Sequence, residues 1–311
     1  MLPGKDLAND HNGYTRRKFI YNVSAAVGAG VLLSSPLFSK AVNFSQTGET
    51  YTVQQIMDLF IKDVPGGALT KTVDTLKAGN PDAKVTGIVT TMFATIAVIR
   101  EAIDLGANFI IAHEPTFYNH ADDTAWLQND SVYRYKADLL KQHNIAIWRN
   151  HDYIHRLVPD GVTKGVLAKL DWQKYADTNV PNIVTLPKTT LKKLIMHAKS
   201  ALTIDKVRYI GDPSQKITKV LFMPGAAGGQ RQIEGVMKVR PDVLVCGEIQ
   251  EWETAEYVRD TLAKGDNLSL VTLGHIASEE PGSEFMLNWL KEKVPGVKVT
   301  HVRSRNSLSF M

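Results

Sequence analysis

The sequence predicts an α/β protein made of two related lobes in a pseudo-twofold arrangement. Three observations point there. Short apolar runs alternate with stretches of helical period, the arrangement of largely parallel sheets flanked by helices. The same order of elements occurs twice along the chain. Histidines and carboxylates gather just past the ends of the strand-like runs, where parallel α/β sheets collect ligands.

Taken in order, residues 1–41 read as an export signal. Thr15-Arg16-Arg17-Lys18-Phe19-Ile20 is a twin-arginine motif, a weakly apolar stretch follows over 23–38, and Ser39-Lys40-Ala41 offers a small-x-small cleavage site. Gly28, Gly30, Ser34, Ser35 and Pro36 break that stretch too often for a membrane span. Residues 51–63 follow, with Val53, Ile56, Met57, Phe60 and Ile61 on one helical face. From Pro65 to Pro81 the signals are weak. Alternation then begins: strand 85–90, helix 94–105, strand 108–112, helix 131–143 and strand 145–148. It returns as strand 218–223, helix 230–239, strand 242–246, helix 251–263 and strand 268–273. Val85-Thr86-Gly87-Ile88-Val89 is echoed by Ile217-Thr218-Lys219-Val220-Leu221, and the run ending His113-Glu114 by the run ending Gly247-Glu248. The lobes therefore span 51–157 and 211–311, with 158–210 as an intervening segment that carries an amphipathic helix at 189–201.

Reading past each strand end yields His113-Glu114, His151-Asp152 with His155, Gly247-Glu248, and His275 with Glu279. His-x-x-x-His at 151–155 and His-x-x-x-Glu at 275–279 share a spacing, and imidazole with carboxylate is the donor set of Zn, Fe or Mn. His113, Glu114, His155, His275 and Glu279 exceed the needs of one tetrahedral ion and suit two ions, with Glu279 as the bridging carboxylate. Ser278 and Pro281 predict a helix start near Glu279. His151 does not have to bind metal and can support a ligand instead, and Glu248 is a general base or a ligand's partner. His11, His120, His143, His197 and His301 fall elsewhere and read as structural. The glycine-rich run 225–229 either cradles an anion at a helix start or makes a tight packing turn, and the turn is preferred.

Composition narrows the function classes. The net charge of the 311-residue chain is +4, and residues 1–41 supply +3 of it through Lys5, Arg16, Arg17, Lys18 and Lys40 against Asp6 and Asp10. The remainder is near neutral, which excludes a nucleic-acid footprint. Cys246 is the only cysteine, so no intramolecular disulfide forms, and its place in an apolar run makes it a small buried hydrophobe. No Ser-His-Asp set, P-loop or dinucleotide fingerprint competes with the metal reading.

From about Tyr51 onward the chain resembles the Nif-three-like family of dinuclear-metal, hexameric proteins, often named GTP cyclohydrolase I type 2 homologues. The resemblance rests on Val85-Thr86-Gly87-Ile88, on Glu101-Ala102-Ile103 leading to Ile110-Ile111-Ala112-His113-Glu114-Pro115, on Pro224-Gly225-Ala226-Ala227-Gly228-Gly229, on Gly247-Glu248 and on Gly274-His275-x-x-Ser278-Glu279. It implies a toroidal hexamer with two divalent metal ions per subunit between the lobes. Two positions depart from the family pattern: Glu114 stands where His is usual, and His155 where Asp is usual in His-Thr-Asn-x-Asp. The exchange leaves three imidazoles and two carboxylates, with Asp152 the alternative to His155. Thr91-Met92-Phe93 also replaces a familiar aspartate, and the resemblance implies that His151 orients a bound water or substrate, the alternative to its supporting role. The expected activity is a metal-dependent hydrolase of phosphoesters or cyclic amide or amidine rings, acting on a small molecule as a periplasmic protein. The alternatives are a non-catalytic metal store or delivery protein and a scaffold.

Overall fold

In the computed structural model, residues 50–309 and 311 are described, and the twin-arginine segment expected at 1–41 lies outside the described residues. Helix α1 (Val53–Asp63) starts at a capping box: Thr52 Oγ1 accepts from the Gln55 amide and Gln55 Oε1 accepts from the Thr52 amide. Its buried Val53, Ile56, Met57 and Phe60 repeat at the i, i+3, i+4, i+7 spacing that fixes one apolar face.

Two mixed sheets carry the fold. In the first, β2 (Ile88–Thr91), β3 (Phe109–Ala112) and β4 (Ala146–Arg149) run parallel, and all three are buried along their whole length. Such continuous burial matches the apolar runs Ile88-Val89, Phe109–Ala112 and Ala146–Trp148, because helices cover both faces of a parallel sheet, and it takes in Thr90, Thr91 and Arg149 at the strand ends. β1 (Leu76–Ala78) pairs antiparallel with β4, and β10 (Val299–His301) pairs parallel with β2, giving the order β1-β4-β3-β2-β10. In the second sheet β7 (Lys216–Met223), β8 (Val243–Cys246) and β9 (Ser269–Thr272) are parallel. β5 (Ile183–Thr190) and β6 (Arg208–Ile210) are its antiparallel edges, in the order β5-β7-β8-β9-β6. The path β1-β4-β3-β2 thus has its counterpart in β6-β9-β8-β7. Residues 158–210, read from sequence as an intervening piece, supply both edges of the second sheet.

Helices α2 (Ile96–Asp104) and α3 (Ser131–Gln142) connect the first set of strands. The four-residue α4 (Asp152–His155) follows β4, and α5 (Gly161–Lys169) and α6 (Leu191–Leu202) follow in the middle of the chain. α7 (Gly229–Val239) and α8 (Glu256–Ala263) connect the second set; the turn Glu251–Ala255 before α8 is wound as a π-helix, where the sequence reads as plain α-helix from 251.

The longest helix, α9 (His275–Lys293), corrects the sequence reading. It starts at His275, not near Glu279. Gly274, at φ 91°, makes the turn that starts it, and Pro281 lies inside it. A Pro three residues after a Ser imitates a helix start in sequence, but the chain is already helical there. α9 crosses α5 in near contact: a Cβ at Gly165 would lie 2.3 Å from the Pro281 carbonyl oxygen, and one at Gly282 would lie 2.9 Å from Val162 Cγ2. Cys246 is fully buried, and burial pushes its thiol up to about 12, as befits a core residue rather than a ligand.

Candidate metal centre

The strand ends of both sheets meet over one cleft. β3 ends in His113 and Glu114, β4 leads into His151 and α4, and β9 leads into His275 at the first residue of α9. Glu279 lies one helical turn further, so His275 and Glu279 share a face, with His275 Nε2 3.0 Å from Glu279 Oε2. The same Nε2 is 3.0 Å from Glu114 Oε1, which joins the two sheets. His113, His151 and His155 bring ligand atoms within 4.8 Å of one another, and so do His113, Glu114 and Glu279.

The orientation of the four rings is the most telling feature. His113 Nδ1 donates to the Asn150 carbonyl at 3.2 Å, His151 Nδ1 to Asp152 at 3.0 Å, His155 Nδ1 to Asp160 at 2.7 Å and His275 Nδ1 to Glu248 at 3.0 Å. A carbonyl or carboxylate oxygen can only accept, so each Nδ1 carries a proton. His113, His151 and His155 then keep an Nε2 lone pair for the centre, whereas His275 Nε2, 3.0 Å from both Glu114 and Glu279, donates to them and would give up that proton to a cation. Holding a ligand imidazole by its other nitrogen fixes both tautomer and ring direction. His113 Nε2 is buried and has no hydrogen-bond partner. A buried unpaired acceptor costs about 1–3 kcal/mol, and a cation at that spot would satisfy it.

These contacts place every sequence-predicted residue. His113, Glu114, His155, His275 and Glu279 converge, and His151 joins them with its ring stacked 4.8 Å from that of His113. Of the pair left open, His155 faces the cluster. Asp152 turns away to Thr72 Oγ1 and the Val73 amide while holding His151. Glu248 is half-exposed and faces His275 Nδ1, on the far side of that ring from the centre. Electrostatics separate the imidazoles. Burial, reinforced by His113, pushes His151 down to about 4 and keeps it in the neutral, ligating form. His275 is drawn the other way: burial would lower it, but Glu114, Glu248 and Glu279 together raise it to about 12. The Glu279 carboxyl falls well below its usual range, because His113 and His275 outweigh its burial.

Several supporting residues gave no sequence signal. Asp74, in the weak region between Pro65 and Pro81, accepts from the His151 amide at 2.8 Å and the Tyr153 amide at 2.7 Å and so anchors the start of α4. Arg149, fully buried at the end of β4, reaches Glu114 Oε2 at 3.4 Å, the His113 carbonyl at 3.4 Å, the His120 carbonyl, and Asp122 at 3.5 Å. His120, read as structural, lines the cleft with its ring 6.0 Å from that of His151.

The glycine-rich run proves to be a packing device. Gly225 has φ 66°, and a Cβ there would lie 2.2 Å from Glu279 Oε1. Its amide donates to Ser278 Oγ at 3.0 Å. Gly225→Ala is expected to displace the Glu279 carboxylate and weaken divalent-ion binding by roughly tenfold or more. Titration of metal into the apo-protein reads this directly, and wild-type affinity in the variant would remove Gly225 from that role.

The sequence model of Duf34/NIF3 (NGG1p interacting factor 3) matches residues 52–307. The GTP cyclohydrolase 1 type 2 homolog of Clostridium acetobutylicum is 25% identical over 222 residues, covering 68% of this chain and 78% of that protein. Among solved structures, the Staphylococcus aureus hypothetical protein SA1388 superposes with a TM-score of 0.68 at 19% identity, covering 85% of this chain and 99% of that one. The Bacillus cereus protein related to NIF3 gives 0.67 at 18% identity, covering 85% and 99%. These structural likenesses concern the fold.

Proposed function

The chain belongs to the Duf34/NIF3 family, and from that premise and the ligand geometry we propose that it is a dinuclear metal-binding protein acting as a metal-dependent hydrolase of phosphoesters or cyclic amides and amidines. The observation that carries this reading is the set of four imidazoles, each held by Nδ1 and presenting Nε2 to one place, with two buried carboxylates among them. His113, His151, His155 and His275 with Glu114 and Glu279 would hold two divalent ions of the Zn, Fe or Mn class. Such ions supply a nucleophilic water at neutral pH and Lewis acidity toward a substrate oxygen.

The chain's own residues do the rest. Asp152, Asp160 and Glu248 keep the rings in the ligating tautomer. Arg149 steadies Glu114, and Gly225 leaves room for Glu279. The exchange of Glu114 and His155 relative to the family pattern is a compensated one in this reading: Glu114 acquires His275 and Arg149 as partners, and His155 acquires Asp160. Assembly as a hexamer and export by the twin-arginine route belong to the same proposal. That route carries folded proteins and would allow the metal to be chosen before export.

The test measures bound metal in purified protein beside His275→Ala, with a screen of phosphoester and cyclic-amide substrates. Wild type should hold two ions per subunit. The variant should lose at least one of them and roughly a hundredfold of the turnover. Fewer than one ion in the wild type would sink the dinuclear reading. Full loading without any turnover that depends on His275 would assign metal storage instead.

A further inference from the structure

The cleft above the imidazoles encloses about 850 Å³, ample for a small-molecule substrate. Its charges divide sharply by whether they have partners. Every carboxylate on its wall is engaged: Glu114 and Glu279 with His275, Asp152 with Thr72, Val73 and His151, and Asp160 with His155 and the Thr163 amide. The cations are not. Lys71 in the loop before β1, Arg156 directly after α4 and Arg231 in the first turn of α7 all line the cleft. Among the described residues none of their side chains has a hydrogen-bond or ion-pair partner.

We propose that this cleft selects a phosphate-bearing substrate, and that Arg156, Arg231 and Lys71 bind its anionic oxygens. This rests on the dinuclear hydrolase reading and chooses between its two substrate classes. Two divalent ions would cancel the four carboxylates of the wall, so the three cations leave the cleft positive. A neutral cyclic amide gains nothing from three unpaired cations and loses whatever desolvating them costs. A phosphate instead gains charge-assisted hydrogen bonds, bidentate from arginine. The cations come from separate elements, so they can reach different oxygens of one ligand. The start of α7 does not serve as the anion site, because Glu253 already lies against Gly229 there. In the hydrolysis itself, water oxygen bonds to phosphorus, the phosphorus–ester oxygen bond breaks, and the alcohol leaves with a proton from that water.

The probe is inorganic phosphate, titrated calorimetrically into full-length, metal-loaded protein whose ion content has been measured. Arg156→Gln/Arg231→Gln and Lys71→Gln are compared with wild type at equal metal content, with circular dichroism reporting the fold. The double variant should lose phosphate affinity by roughly tenfold or more, and Lys71→Gln by less, because arginine makes the bidentate contacts. With p-nitrophenyl phosphate as substrate, the loss should appear mainly in KM. Equal phosphate affinity in the double variant and wild type would overturn the proposal, and so would turnover of a neutral cyclic amide without any phosphoester turnover. A wild-type chain that holds no metal yet binds phosphate through these residues would uphold the anion cleft and defeat the hydrolase reading.

Discussion

Gly165→Ala should destabilise the protein by about 3 kcal/mol, the reverse of what the substitution does in an open helix. There, replacing Gly by Ala stabilises by roughly 0.5–1 kcal/mol, because glycine loses more backbone freedom on folding. Here the added Cβ would stand 2.3 Å from the Pro281 carbonyl oxygen and 2.8 Å from its carbon. Both atoms are backbone, so no side chain can turn aside; either α5 or α9 must shift. Overpacking of that kind costs about 1–3 kcal/mol, and a backbone collision lies at the upper end. Because the first turns of α9 carry His275 and Glu279, the shift should reach the candidate metal centre too. Urea unfolding midpoints of the two proteins, with metal removed from both, measure the first effect. A midpoint at or above wild type would show that α5 and α9 can part at this crossing without cost.

Arg149→Met has the other large expected effect, a loss of about 3–5 kcal/mol. The methionine preserves most of the apolar stem but deletes a fully buried guanidinium. Asp122 then keeps only Lys77, at 3.3 Å, as its ion pair, and Glu114 keeps its histidines. Two main-chain carbonyls, those of His113 and His120, lose their donor. Arg149→Lys should rescue little, since a single ammonium cannot serve four acceptors spread around a planar fork. Thermal melts of the metal-free proteins, followed by metal titration, separate stability from ligand positioning. If Arg149→Met stayed within about 1 kcal/mol of wild type, the network would not be holding the centre together.

Much of the architecture was legible because the signals were local. β2, β3 and β4 contain short apolar runs buried on both faces, and α1 and α6 have the period of a one-sided helix. The candidate ligands could be read for a related reason: a polar residue directly after a buried strand stands at the open end of a sheet. The features without a local signal depend on distant partners. β1, β6 and β10 are three-residue strands at sheet edges, with too few side chains to show a period. Arg149 directly follows the strand read at 145–148 and carries no signal of its own, and only the fold brings it to Glu114 and Asp122. Ser278 and Pro281 imitate a cap locally and point to a start near Glu279, while the start of α9 at His275 depends on the backbone of Gly274.

The strand β10 gives this fold a temporal constraint. Residues 299–301 close the first sheet beside β2, and His301 Nδ1 donates to the Thr90 carbonyl across 211 positions of sequence. A growing polypeptide that has already made β2, β3 and β4 therefore cannot finish their sheet. Nor can it bring Glu279 to His113 until α9 has left the ribosome. Pairings so distant are entropically slow to close. The centre therefore assembles only after α9 and β10 have been made, and until then the exposed edge of β2 invites wrong partners.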